Sequence, residues 1–490
     1  MRRTPRPWVV VIALAGAAAI GALTATHSQA PDRNGVTAGD VRAFGARGDG
    51  QADDTAAIQR AVESQAGTVR FPKGTFRLSR TVVIDLDRVG FTALVGDGTA
   101  RVVMAGAGPA FKFVGTHAGS AAPGTFRENV WRNQRTPTVD GLEVVGDHAE
   151  AVGLQATGTM QLTVTRFVVR EALHGVHLTG RNRNIILANC HIYHNRGIGV
   201  YYDDVNLHQS NIVGCHISYN ARGGVVSRAG DVRNIQISGS DIESNQSPDD
   251  GPTANVLIDC TGGTNGTGEV AITGCTLQHN HNSPGSANVR VVGRSRPPRA
   301  AEPVSEGNVT IADNVLSDVD VNVHLKDCRG VTVVGNTFWA GFAHDLLIEE
   351  STNVVVGPNN LDRNPRYNAE DRGRANHGVV VRSCTDCTIT GLHVNGVRHA
   401  PAGVRIENCR RLNLSNCTIL DCDNVGLLVK DVSDSRISGC LIRDDRPGGD
   451  GPMSLRLTGG RGNLVVGNLL GGRHEIDAAA AHAEGNHRGR

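Results

Sequence analysis

A short pattern recurs along the chain at fixed distance. It reads LANCHIYHN at 187–195, IVGCHISYN at 212–220, ISGSDIESN at 237–245 and ITGCTLQHN at 272–280. Cys190, Cys215 and Ser240 are spaced by 25 residues, and the same slot continues through Cys275, Asn314, Asn336, Cys417, Cys440 and Asn468, with insertions between some of them. A second slot follows strands of the type V-x-[IL] and holds Cys260, Cys328, Cys384 and Cys409. Each unit has short runs of alternating apolar and polar residues, which read as strands, separated by turn residues. A unit this small cannot bury its own apolar side. Stacked units can, so the period predicts a solenoid of strands with one continuous core. Strand-and-turn units of this length fit a parallel β-helix whose coils rise about 4.8 Å each. Matching positions then become vertical neighbours, so small thiols pack on their own kind and amides form ladders. Parallel stacking points neighbouring thiols the same way, which predicts free thiols in spite of eleven cysteines. Cys384 and Cys387 form a lone C-x-x-C with no second pair and are not read as a metal motif.

The first 30 residues read as a secretory signal. Arg2, Arg3 and Arg6 precede an apolar run over 9–23, too short for a comfortable membrane span, and Ser28-Gln29-Ala30 offers a cleavage site. The expected organisation is a signal over 1–30, a linker over 31–39 and one β-helix domain over 40–470 with an N-terminal cap at 40–80. A polar, Ala-rich tail over 471–490 is expected either to fray or to form a loose cap. The mature protein is then secreted and extracellular, with no membrane association after cleavage. The 49 basic and 48 acidic residues nearly cancel, and aromatic residues are 4%, which excludes a bulk pull toward nucleic acid and a base-stacking platform. Ser-His-Asp, phosphate-loop and zinc signatures are lacking in the sequence.

The stretch 44–79, FGARGDGQADDTAAIQRAVESQAGTVRFPKGTFRLS, predicts a turn at Gly48-Asp49-Gly50 and a helix capped by Asp53 or Asp54. Its buried face is Ala56, Ile58, Ala61 and Val62, and the first strands follow. A helix here would close the open end of the solenoid. This segment resembles the N-terminal signature of the pectate lyase-like superfamily, which includes polygalacturonases, rhamnogalacturonases and phage tail-spike depolymerases. The resemblance implies an all-β fold, a right-handed parallel β-helix with an N-terminal capping helix, and a carbohydrate substrate. It does not choose between hydrolase and lyase.

Insertions at 246–254, 261–268, 281–286, 293–307, 362–376 and 443–452 flank one strand column, which marks that column as the floor of a groove. Its outward positions are read as His177, Tyr201, Asp203, Arg228, Asp259, Arg290, Asn322, His324, Lys326, Glu349, Arg382, Arg405, Glu407, Lys430 and Arg456. So many Arg, Lys and His residues beside carboxylates suit an extended acidic polysaccharide, since guanidinium pairs bidentately with carboxylate. Of these, Arg405, His324, Lys326, Arg382, Arg290, Arg228 and Tyr201 are the expected substrate contacts. Hydrolysis of a glycosidic bond needs two carboxyl groups, and two sets compete. The first follows the polygalacturonase series N-T-D, D-D, G-H-G, R-I-K. By that resemblance Asp345 would be the general acid, Asp320 would help activate water, His377 would orient the site and Arg405 would hold a uronate. Asp320 and Asp345 are each displaced by one residue from the family pattern, His344 stands where an acid belongs, and Glu407 replaces the lysine. The second set is Asp203 and Asp259, two coils apart with Arg228 between them.

The expected activity is hydrolysis of a uronate-containing polysaccharide, polygalacturonase-like and without cofactor or metal. The alternatives are a lyase or epimerase acting by proton abstraction, with Ca²⁺ possible, in which Arg290, His324, Lys326 and Tyr201 would serve, and a non-catalytic glycan-binding β-helix. Sugar identity and oligomeric state are not legible.

Overall fold

The structure, a computed structural model, describes residues 39–119, 122–249, 251–446 and 452–489. The expected signal, the linker apart from Gly39, and Asp250 in the loop before Asp259 lie outside the described residues. From residue 38 onward the chain forms one compact unit. It is a right-handed parallel β-helix. Among the described residues, the strand pair Arg294–Ser295 and Val304–Ser305 is the antiparallel exception.

Three parallel sheets run the length of the unit. The first, the groove sheet, passes through Ala151–Thr157, 174–179, 200–203, Val225–Arg228, Ala254–Asp259 and Ala287–Val292. It continues through 321–326, 344–349, Gly378–Arg382, Val404–Glu407 and Val425–Ser433. The second sheet holds short strands such as Thr388–Thr390 and Asn413–Ser415, and the third holds His191–Tyr193, His216–Ser218 and Asp241–Glu243. Inward residues stack directly. Val200, Val225, Val256, Val289, Val323, Leu346, Val379, Val404 and Leu427 follow one another by register, and all are buried.

The recurring cysteine has a local cause. Between the second and third sheets the chain turns through one residue at positive φ, filled by Asn189, Gly214, Gly239, Gly274, Asp313 or Gly335, residue types that tolerate this region. The next residue points inward and donates to the carbonyl two residues back. Cys190 Sγ donates to Ala188 O at 3.3 Å, Ser240 Oγ to Ser238 O at 3.0 Å and Asn336 Nδ2 to Val334 O at 3.1 Å. A short side chain with one donor is what the slot requires, so Cys, Ser and Asn exchange there. All eleven cysteines are buried and unbridged. Burial pushes the Cys328 thiol up to about 12 and those of Cys260 and Cys422 to about 11.

A second column lies beneath the turn from the third sheet to the groove sheet. Asn195, Asn220, Asn245, Asn255, Asn288 and Asn322 each donate Nδ2 to the next member's side-chain oxygen at 2.7–2.9 Å. The repeat suggests Asn280 as the fourth member. Asn255 takes that place, because insertions on either side carry Asn280 into a loop turn with Asn282.

At the N-terminus α1 (Thr55–Glu63) buries Ala57, Ile58, Ala61 and Val62. Asp53 accepts from Thr55 N at 3.1 Å, while Asp54 turns away to Arg47 N and Gly48 N. Of the two expectations for the tail, fraying is corrected. His474–Ile476, Ala481–Glu484 and His487–Gly489 pair in parallel with the coil below, and Asn468 donates to Asn486 at 2.9 Å. These strands are largely polar because one side has no further coil to cover it, which hides their alternation in the sequence.

Candidate active site

The groove sheet presents two outward rows. In the first, by register, stand Lys112, Gln155, His177, Tyr201, Val226, Leu257, Arg290, His324, Leu347, Val380, Arg405, Leu428 and Arg456. Two residues further along each strand come Thr179, Asp203, Arg228, Asp259, Val292, Lys326, Glu349, Arg382, Glu407 and Lys430. Charge is therefore interrupted by Val226, Leu257, Leu347, Val380 and Leu428. Two polar clusters remain, one on coils 174–259 and one on coils 287–407.

In the lower cluster His177 and Tyr201 are stacked neighbours, with ring centroids 5.3 Å apart and planes 5° apart. His177 Nε2 lies 2.9 Å from Asp203 Oδ2. The Tyr201 hydroxyl meets both Asp203 and Arg228, and burial together with the Asp203 carboxylate pushes it up to about 12, so the phenol stays protonated. Behind this pair His174 accepts from Ile198 N at 3.1 Å. Burial, aided by His177, brings His174 down to about 4, so this imidazole is neutral. Ile198, Val226, Ala254, Leu257 and Ala287 form an apolar wall beside Tyr201. The cluster stays open to solvent: the Asp203 side chain is 40% exposed, and Arg228 is exposed. Asp203, Arg228 and Asp259 occupy one row on three consecutive coils, as the spacing predicts. Asp259 accepts from Thr261 N at 2.9 Å at the head of the 261–268 insertion.

The upper cluster differs from expectation. Asp345 is 0% exposed and His377 1%. Asp345 terminates the asparagine ladder: Oδ1 accepts from Asn322 Nδ2 at 2.7 Å and from Gly341 N at 3.1 Å, and Oδ2 faces His377 Nδ1 at 3.1 Å. His377 Nε2 is held at 2.8 Å from Asn368 Oδ1 of the 362–376 insertion. Both side chains are therefore enclosed and face one another, whereas a general acid at Asp345 would have to reach the groove. Asn322, expected outward, is likewise interior. The register shifts between His344 and Leu346 explain this, since a one-residue slip moves a side chain to the opposite face. Asp320 braces a loop, accepting from Gly285 N at 2.6 Å, and burial raises its carboxyl above the ordinary range.

Arg290 is 9% exposed and is committed to the flanking insertions, donating to Thr253 O, Gly285 O and His324 Nδ1 at 3.3, 2.5 and 3.2 Å. It is a staple between loops, and its expected place as a substrate contact is corrected. Because Nδ1 of His324 accepts, Nε2 carries the proton and donates to Glu349 Oε2 at 2.8 Å. Burial, with Arg290 next to it, lowers His324, which is neutral. Glu349 also receives Arg382. Arg405 pairs with Glu407 at 2.8 Å. Lys326, Arg382 and Lys430 stand on the second outward row, and Arg405 on the first. His344, absent from the expected contacts, lies among Arg405, His324 and Arg382. Burial first, then Arg405, brings it down to about 4. Strict alternation along 344–349 would put Asp345 outward with Leu347 and Glu349, and the register shift between His344 and Leu346 turns His344 outward in its place.

These features define a right-handed parallel β-helix with a charged groove on one sheet. Residues 39–247 match the family model described as rhamnogalacturonase A/epimerase, pectate lyase-like, which agrees with the resemblance read from 44–79. Residues 258–486 match the model of NosD, periplasmic copper-binding protein. Among solved structures the chain is similar to the A-module of mannuronan C-5 epimerase AlgE6 of Azotobacter vinelandii, at 14% identity over 92% of this chain and 99% of that one, with a TM-score of 0.37. It is similar to the pre-mature gene product 12 of bacteriophage phi29, at 15% identity over 91% of this chain and 56% of that one, with a TM-score of 0.48. It is also similar to PfbA, a surface adhesin of Streptococcus pneumoniae, at 11% identity over 92% and 91%, with a TM-score of 0.33. No curated protein matches the chain. Among the described residues no helix is long and apolar enough to cross a membrane.

Proposed function

We propose that the protein is a secreted, carbohydrate-active enzyme that abstracts the proton beside a uronate carboxylate in an acidic polysaccharide, as a lyase or epimerase. The observation that carries this reading is the open cluster of His177, Tyr201, Asp203 and Arg228 on adjacent coils. The match of residues 39–247 to a family described by both a rhamnogalacturonase and an epimerase supports a sugar substrate. Arg228 pairs with the uronate carboxylate and stabilises the negative charge that develops when the adjacent C5 proton leaves. No calcium ion is needed for that neutralisation. His177, oriented by Asp203, takes the C5 proton. Electrons from the C5–H bond form a C4–C5 double bond, the C4–O bond breaks, and protonated Tyr201 donates to the departing oxygen. If the intermediate instead regains a proton on the opposite face of C5, the product is the epimer. Lys326, Arg382 and Arg405, further along the groove, bind more distant uronates.

Proton abstraction suits the cluster better than hydrolysis because both the imidazole and the phenol engage Asp203, leaving it no free carboxyl to act as an acid. Hydrolysis is the second reading, favoured by one observation. Asp203 and Asp259 stand two coils apart, about 10 Å along the backbone, near the spacing that admits an inverting water.

The test is incubation with acidic polysaccharides in deuterated buffer. An unsaturated product absorbing in the near ultraviolet marks a lyase, and deuterium at C5 without chain cleavage marks an epimerase. Saturated new reducing ends marks a hydrolase and would overturn the proton-abstraction reading. Polysaccharide binding without chemical change would replace an enzyme by an adhesion protein.

A further inference from the structure

The third sheet faces away from the groove sheet's outward rows, and its outer surface carries histidines and carboxylates on consecutive coils. His191, His216 and Asp241 are register neighbours, and Glu243 stands two residues beyond Asp241 on the same outward side. His216 Nε2 is 3.0 Å from Asp241 Oδ2 and 3.8 Å from Glu243 Oε1, and one ligand atom from each residue lies within 4.8 Å of the others. His191 meets His216 edge-on, with ring centroids 5.8 Å apart, which brings a second imidazole beside the first.

Two further observations point to a missing positive partner. Asp241 Oδ1 is a buried atom with no hydrogen-bond partner, although the side chain as a whole is 43% exposed. An orphaned carboxylate oxygen is costly unless a donor or cation meets it. Glu243 is held from behind, since Gln278 Nε2 donates to its Oε2 at 3.1 Å and leaves Oε1 turned toward His216. A hydrogen-bonded ligating carboxylate of this kind is the usual support of a metal site.

We propose that His216, Asp241 and Glu243 bind a divalent first-row transition ion of the zinc class, pinning two adjacent coils of the solenoid together. An imidazole nitrogen with two carboxylate oxygens suits zinc and its neighbours, whereas calcium and magnesium prefer all-oxygen sets. The ion's double charge offsets both carboxylates. The site lies outside 258–486, so the match to a copper-binding family does not assign it. It is independent of the reaction proposed for the groove, which uses none of these residues.

The test titrates chelator-stripped full-length protein with Zn²⁺ alone, by calorimetry and by thermal unfolding. One equivalent should bind and raise the unfolding temperature. Glu243→Gln and His216→Gln should each weaken binding at least tenfold. Asp241→Asn should abolish binding, because it removes the carboxylate that faces His216. All are surface positions, and circular dichroism verifies the fold. Absence of uptake, or uptake unchanged in all three variants, would overturn the site. Calcium binding as tightly as zinc would overturn the assigned class.

Discussion

The two polar clusters of the groove sheet are built from the same rows of the same sheet, yet they do different work. On coils 174–259 the side chains of Asp203 and Arg228 stay open to solvent, and Tyr201 and His177 engage one carboxylate. On coils 287–407 the insertions at 246–254, 281–286 and 362–376 close in. Arg290 is drawn into loop carbonyls, and Asn368 is drawn onto His377. A charge on an outward strand position is thus a functional group only where the neighbouring loop leaves it free. Where the loop returns, the charge becomes its anchor.

That contrast can be broken by substitution. The largest expected effect is in the lower cluster: Tyr201→Phe and His177→Gln should each lower kcat on an acidic polysaccharide by about 10²–10⁴-fold, the usual weight of a general acid or base, with little loss of stability. Asp345→Ala should do the reverse. It leaves His377 and the ladder end without a buried partner, at about 3–5 kcal/mol in urea unfolding, while kcat of the folded fraction stays near wild type. If Asp345→Ala abolished turnover without lowering stability, the assignment of the two clusters would be exchanged. Arg290→Leu should cost about 1–3 kcal/mol by leaving the Thr253 and Gly285 carbonyls unmet, and should speed proteolysis of the 281–286 loop.

A smaller effect is pH-dependent. His174 and His344, one in each cluster, sit near 4 in the folded chain because burial disfavours their charged forms, against 6.5 for the ordinary side chain. Between those values the unfolded chain binds more protons, so stability is complete above about pH 6.5 and falls as the pH drops toward 4. Denaturant melts across that window should show the loss, and His344→Gln should remove part of it, with His324 keeping the rest of the upper cluster's share. The least perturbing test is a thiol count. Protein denatured without reductant should titrate close to eleven thiols, and a count near zero would mean that stacked pairs such as Cys190 and Cys215 are bridged.

Much of the architecture is written in spacing. Cys190, Cys215 and Ser240 recur because each follows a left-handed turn residue and needs a short donor. Lys326 and Arg405 alternate with core residues, so their outward direction follows from period two. Asp345 shows where that legibility stops. Its displacement by one residue from the family pattern is visible in the sequence, but the consequence depends on a register shift that pairing with neighbouring coils produces.

The order of the letters along this chain was enough to establish a stacked β-coil, a helical N-terminal cap and the columns of like residues, because each depends on nearest-neighbour geometry repeated about every 25 residues. Which outward charges remain available for chemistry was decided only in three dimensions. Exposure depends on loops that return from distant positions, as Thr253 does to Arg290 and Gly285 to Asp320. No local period records which strand such a loop will cover.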